Sequence, residues 1–258
     1  MPFIKAIRRF FSVRRPLPGS IQEWLSVSVP VYRYLNQAQQ SKLRKRMSVF
    51  LAEKLFEGCA GLTVTDEMKC VIAAYGSLLI LEEPSGYYPE LSAILIYPDD
   101  YIAPVYTENP DGVVTEGEER RQGESWDSGS VVLSWSDIRN TTLNSGNAHN
   151  LIIHEFAHQL DDQYGLSAGI RTDGTTSGGD EWTLDLAKIY TDLLDASRCN
   201  RNVKPLDLYG ATSPAECFAV VMEAFIESPR KLQLRYGNAY RQLTDFFGID
   251  PGRMWGYR

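Results

Sequence analysis

The sequence predicts a mostly helical α+β fold with a small β-sheet, and three observations carry that expectation. Apolar residues recur at spacings of three, four or seven from Ser20 to about Phe56, and again from Asn147 onward. Between these stretches lie two short runs rich in Val, Ile and Leu, Ala93–Tyr97 and Val131–Trp135, of strand length. No internal repeat is visible, so helices, a small β-rich middle and more helices follow one another along one chain. Pro16-Leu17-Pro18-Gly19 separates a basic tail, residues 1–19, from a folded domain, 20–258. Within that domain the expected parts are helical at about 20–82, a small sheet at about 83–138, and helices at about 147–258.

Each element has its own signal. Trp24, Leu25, Tyr32, Leu35, Leu43, Met47, Phe50, Leu51 and Leu55 form an apolar stripe among Lys and Arg. Pro30 breaks this stripe, so at least two helices are expected. Thr65-Asp66-Glu67-Met68 reads as a helix start before the apolar run Cys70–Leu81. Glu83-Pro84-Ser85-Gly86 reads as a turn, and Pro98-Asp99-Asp100 ends the first strand. Residues 107–130, rich in Glu, Gly and Asp, read as a long polar connection. Asn147–Tyr164 reads as a helix, Gly165–Gly179 as a Gly/Thr/Ser-rich loop, and Glu181–Ser197 as a further helix. Ser213-Pro214 opens a helix to about Glu227, and residues 229–247 supply one more.

Composition narrows the function classes. The net charge is -7, which argues against nucleic acid as a direct partner, since a phosphate-binding face must be basic. Residues 1–15 hold five of the 26 basic side chains and none of the 33 acidic ones, interleaved with Phe3, Ile4, Ile7, Phe10 and Phe11. That segment reads as a solvated basic tail, with weak contact to an anionic membrane as the alternative. No stretch nears the roughly 18 apolar residues of a membrane span. The four cysteines lack C-x-x-C pairing and no secretory apolar core is visible, so a reduced, cytoplasmic protein is the expectation.

The chemistry concentrates in His154-Glu155-Phe156-Ala157-His158. Residues four apart share a helix face, so both imidazoles can reach one ion, and Glu155 is placed to take a proton from water there. Leu151, Ile152, Ile153, Phe156, Ala157 and Leu160 make this a buried helix, where two imidazoles need a partner. His149 fits no ligand spacing and reads as a surface or capping residue. A catalytic zinc takes three protein ligands. No histidine follows His158, so the third ligand must be a carboxylate: Glu181, Glu216, Glu223, Glu227, Asp161 or Asp162. Glu216 and Glu223 lie seven apart on one helix face, and Glu216 also fits a capping box with Ser213. Spacing alone leaves these two nearly even.

The segments His154–Asp161 and Tyr209-Gly210-Ala211-Thr212-Ser213-Pro214-Ala215-Glu216-Cys217-Phe218 resemble the Mlc titration factor A family of bacterial zinc peptidases. Phe56-Glu57-Gly58 and Val132–Trp135 support the likeness, which runs from about Pro16 to the C-terminus; the tail and the loop Gly165–Glu181 diverge. The resemblance implies a gluzincin-like fold with the motif helix in the active-site cleft. It implies one Zn²⁺ per chain held by His154, His158 and Glu216, Glu155 as general base and Tyr209 as a transition-state donor. Glu223, or Asp161, would then orient a ligand histidine. The expected activity is hydrolysis of peptide bonds in a peptide or protein substrate, with aminopeptidase action as a narrower form. Val131–Trp135 is a candidate edge for an extended substrate. The alternative is a regulatory protein that sequesters a transcriptional repressor, with peptidase activity secondary.

Overall fold

Local punctuation decides where the helices begin. The computed structural model describes residues 9–13, 16–82, 87–108, 114–121, 123–126, 129–143, 149–176 and 178–254. Helix α1 spans Ile21–Ser28, and Pro30, with no amide proton to extend the ladder, diverts the chain into a 3-10 turn, Pro30–Tyr34. Helix α2 (Gln37–Glu53) restarts on a reciprocal pair: the Gln39 amide donates to the Asn36 side chain, and the Asn36 amide to the Gln39 side chain. The two expected helices are present, but helix stops at Glu53 and Leu55–Gly58 is a strand, β1. Helix α3 (Asp66–Leu79) begins at Thr65, whose hydroxyl accepts from the Met68 amide, and is buried from Cys70 to its end.

The sheet sits between the helical parts. Strands β2 (Ala93–Tyr97) and β6 (Ser130–Ser134) lie at its centre, in the order β1-β2-β6-β5. β1, β2 and β6 run parallel, with Leu55 opposite Ala93 and Ala93 opposite Ser130. β5 (Gly123–Trp126) closes one edge antiparallel to β6. Two expectations change here. β6 is paired on both sides, so it offers no edge to a substrate; the outer edge belongs to β5. The supposed long connection, 107–130, contains β5 and β4 (Val114–Arg121), and β4 pairs antiparallel with β3 (Tyr101–Glu108), which lies mostly before it. The polar sequence of β4, VTEGEERR, hid that strand, and Pro104 interrupts the apolar run of β3. The expected turn at 83–86 and most of the basic tail lie outside the described residues.

Helices return after β6. Trp135 starts α4 (Trp135–Leu143), ending the strand one residue before the expected point. Then come α5 (Leu151–Tyr164), α6 (Glu181–Arg198) and α7 (Pro214–Glu227). Residues 229–247 form two helices, α8 (Pro229–Arg235) and α9 (Gly237–Phe247), broken at Tyr236 by a non-helical φ of -131°. A short α10 (Pro251–Met254) follows. α5 packs along α7 and against α3. Phe156 of α5 meets Phe50 of α2 at 5.6 Å between ring centroids and Tyr88 at 4.8 Å. The face of α5 opposite this aromatic cluster carries the histidines.

Candidate metal centre

Helix α5 starts at Asn150, whose side-chain oxygen accepts from the Ile153 amide. The cap is therefore Asn150, and His149 stands just outside the helix. His154 and His158 lie one turn apart, ring centroids 5.0 Å from each other. Helix α7 starts at Ser213, whose hydroxyl accepts from the Glu216 amide at 3.1 Å. Half of the expected capping box is thus present. The Glu216 carboxylate does not fold back but faces the histidines, Oε2 lying 2.9 Å from His154 Nε2 and 3.4 Å from His158 Nε2. Among the described residues, His154, His158 and Glu216 are the one group of three or more whose ligand atoms, all within 4.8 Å of each other, could hold a metal ion.

Glu223, seven residues along α7, occupies the other side of His154. Its Oε1 lies 2.8 Å from His154 Nδ1, and its Oε2 accepts from the Asn150 amide at 2.6 Å. His149 Nδ1 reaches the same oxygen at 3.0 Å, and His149 Nε2 stands 3.4 Å from Asp137 Oδ2. Asp161, the other candidate for orienting a histidine, is turned away, both of its oxygens bonded to Ser167. Glu227 lies one turn past Glu223 and accepts from the Asn150 side chain at 2.7 Å. Glu181 opens α6 and, with Asp162, stays outside the cluster.

Electrostatics follow from these contacts. Burial works against the Glu216 carboxylate, yet hydrogen bonds from His154 and His158 outweigh it and hold its pKa at about 2. Burial likewise opposes charge on His154, but Glu216 and Glu223 raise its pKa to about 10. Two carboxylates on the two nitrogens of one ring call for a positive centre. A metal ion at Nε2 meets that demand with Nδ1–H still donating to Glu223, the arrangement usual for ligand histidines. The donor set therefore fits a metal. Glu155 is 3% exposed, and desolvation lifts its pKa to about 7 against the opposing charges of His154 and His158. Its Oε2 is buried without a hydrogen-bond partner. An orphaned carboxylate oxygen beside two imidazoles is costly unless something polar comes to it.

Tyr209 sits on a 3-10 turn, Leu208–Ala211, its ring centroid 5.9 Å from that of His154 and the residue 54% exposed. The Tyr209 amide donates to Asp207 Oδ1, and the Thr212 hydroxyl donates to the Tyr209 carbonyl. Gly210 lets this turn seat on α7 and α6: a Cβ there would come within 2.5 Å of Val220 Cγ2 and 3.0 Å of Leu193 Cδ1. Gly210, Asn150 and the His149 contacts were not singled out in the sequence. Gly210 stood in the quoted segment as a possible signal of close backbone approach; nothing local marked the other two.

A mostly helical α+β fold that brings a two-histidine helix against a glutamate helix defines a protein of metallopeptidase type. Residues 4–248 match the family described as glucose-regulated metallo-peptidase M90, and the chain belongs to that family. It is 39% identical over 241 residues to an uncharacterized protein of Synechocystis sp., covering 92% of this chain and 86% of the relative. It is 28% identical over 247 residues to Mlc titration factor A of Yersinia enterocolitica, covering 95% and 92%. To Mlc titration factor A of Yersinia pestis it is 29% identical over 255 residues, covering 95% and 91%. The resemblance drawn from the two sequence segments is borne out.

Proposed function

We propose that this chain is a zinc-dependent peptidase in which Glu155 is the general base. The observation that carries this reading is the convergence of His154, His158 and Glu216 beside the unpartnered Glu155 oxygen. Two histidines and one glutamate are a donor set of catalytic zinc, with the fourth position open. When bound, zinc supplies Lewis-acid chemistry at the scissile carbonyl and makes water there more acidic. Glu155 takes the proton of the attacking water and passes it to the leaving amine. Tyr209 donates its phenolic proton toward the developing oxyanion, for which its exposure suits it. The substrate lies as an added strand along β5, the sheet edge beside α5.

Glu155→Gln tests the assignment. It should retain one zinc per chain by elemental analysis and lose peptide cleavage by about 10²–10⁴-fold. Cleavage at the wild-type rate would sink the base assignment. Aminopeptidase action is the narrower form, and peptides with free and acetylated N-termini test it: equal cleavage of both contradicts it. The free cysteines Cys59, Cys70, Cys199 and Cys217 fit a reducing, cytoplasmic setting.

The name of the Yersinia relatives, Mlc titration factor A, supports a second reading, in which this chain holds a partner protein such as a transcriptional repressor. Glu155→Gln separates the two, because a sequestering protein tolerates that change and a peptidase does not.

A further inference from the structure

The buried Glu223 carboxylate has more partners than holding one histidine requires. It is 2% exposed, bonds the His154 ring and the Asn150 amide, and has the His149 ring at 3.0 Å as an ion-pair partner. The first two come from α5 and its cap. The third comes from a half-exposed residue, 46% open at the side chain, whose other ring nitrogen faces Asp137 on α4. His149 thus links α4 to α7 across the start of α5.

We propose that His149 is a positioning residue for the metal centre: its imidazole bridges Asp137 and Glu223 and so fixes the carboxylate that holds His154. The inference rests on the zinc-peptidase reading. His149 Nδ1 lies 3.0 Å from Glu223 Oε2, and Nε2 stands 3.4 Å from Asp137 Oδ2, an ion-pair distance at which that buried oxygen has no hydrogen bond, so two carboxylates favour the charged ring. Asp137 and Glu223, in that order, together raise its pKa to about 10 against the cost of burial. Two hydrogen bonds and an ion pair converging on one carboxylate fix its rotation about the terminal side-chain bond, which the two bonds from neighbouring residues would do less firmly. A fixed Glu223 keeps the Nδ1–H of His154 in line and its Nε2 aimed at Glu216. The positive ring also offsets the buried negative charge, leaving Glu223 a milder acceptor. Among the described residues His149 pairs with Asp137 and Glu223, so it acts on the ligands through Glu223.

The test is zinc affinity, measured by chelator competition on the full chain. Changing a group bonded directly to a ligand costs roughly 10–100-fold in metal affinity. Glu223→Gln falls in that class. His149→Ala, one group further out, should weaken zinc by about three- to tenfold by the same reasoning, with far-UV circular dichroism unchanged. In the Glu223→Gln background the same change should cost less than about twofold, because the path it acts through is already broken. Unchanged affinity in His149→Ala, or losses that multiply in the double variant, would overturn the proposal.

Should His149→Ala fail to fold, Asp137→Asn reads the bridge from its far end, and unchanged zinc affinity there overturns it equally. A wild-type chain that takes up no zinc sinks the peptidase reading instead. The bridge is then judged in the metal-free protein by ¹⁵N-imidazole spectra, which the chain's three histidines keep simple. The His154 Nδ1–H signal should move on His149→Ala; a signal that stays in place contradicts the bridge.

Discussion

Glu216 and Glu223 share one face of α7, and their surroundings divide the work between them. Periodicity made the pair legible, and His154 with His158 was legible outright, because one-turn spacing on a buried helix is a local property. Which glutamate faces both rings was not legible from spacing, because it depends on how α7 slides along α5. Glu223 is surrounded by donors from the start of α5, whereas Glu216 meets both rings on their Nε2 side. A third acid on the helix, Glu227, makes a separate prediction. It is half-buried, and desolvation, outweighing the bond from Asn150, raises its pKa to about 7. Between its unfolded value near 4.5 and about 7 the folded state keeps a proton that the unfolded state has lost. Stability should therefore fall as pH rises through that window, by an amount on the order of 3 kcal/mol. Glu227→Gln should flatten this decline and be more stable than wild type above pH 7, read by urea denaturation at several pH values. A parallel pH dependence in both proteins would contradict it.

Close approach of α3 to α5 sets the depth of the motif helix. A Cβ on Gly76 would lie 3.1 Å from Phe156 Cε1 and 3.3 Å from Phe50 Cε2. The Tyr88 hydroxyl also donates to the Gly76 carbonyl at 2.7 Å, tying the same ring cluster to α3. Gly76→Val should overpack this seam and cost about 1–3 kcal/mol in chemical denaturation. Zinc affinity should fall with it, since Phe156 lies between Glu155 and the second histidine. A stability gain, as expected for merely removing a helical glycine, would show that the seam has slack. The helix starts at Thr65 and Ser213 were readable in the sequence, whereas the polar caps at Asn36 and Asp180 were not singled out there. The ribbon of β3 and β4 and the place of β5 were not, because β4 and β5 are polar and short of apolar alternation and Pro104 breaks the run of β3.

At the scale of the whole molecule, the candidate site ties two helices whose contacting residues lie 62 positions apart. Among the described residues no helix is long and apolar enough to cross a membrane. Of the basic start, Arg9 pairs with Glu53 at 2.7 Å and stacks over Tyr87, so part of that segment is docked on α2. An ion held between α5 and α7 stabilises only the folded chain. Zinc at 100 times its dissociation constant should add about 2.7 kcal/mol, and a chelator should remove it; a thermal midpoint indifferent to both would contradict a folded-state zinc site. The most direct test of the central claim is an anomalous difference map from zinc-soaked crystals, collected at the zinc edge. One peak is predicted within about 2.0–2.2 Å of His154 Nε2, His158 Nε2 and a Glu216 oxygen, with Glu223 bonded only to His154 Nδ1 and its donors. A peak coordinated by Glu223, or none at this cluster in a zinc-replete crystal, would contradict it.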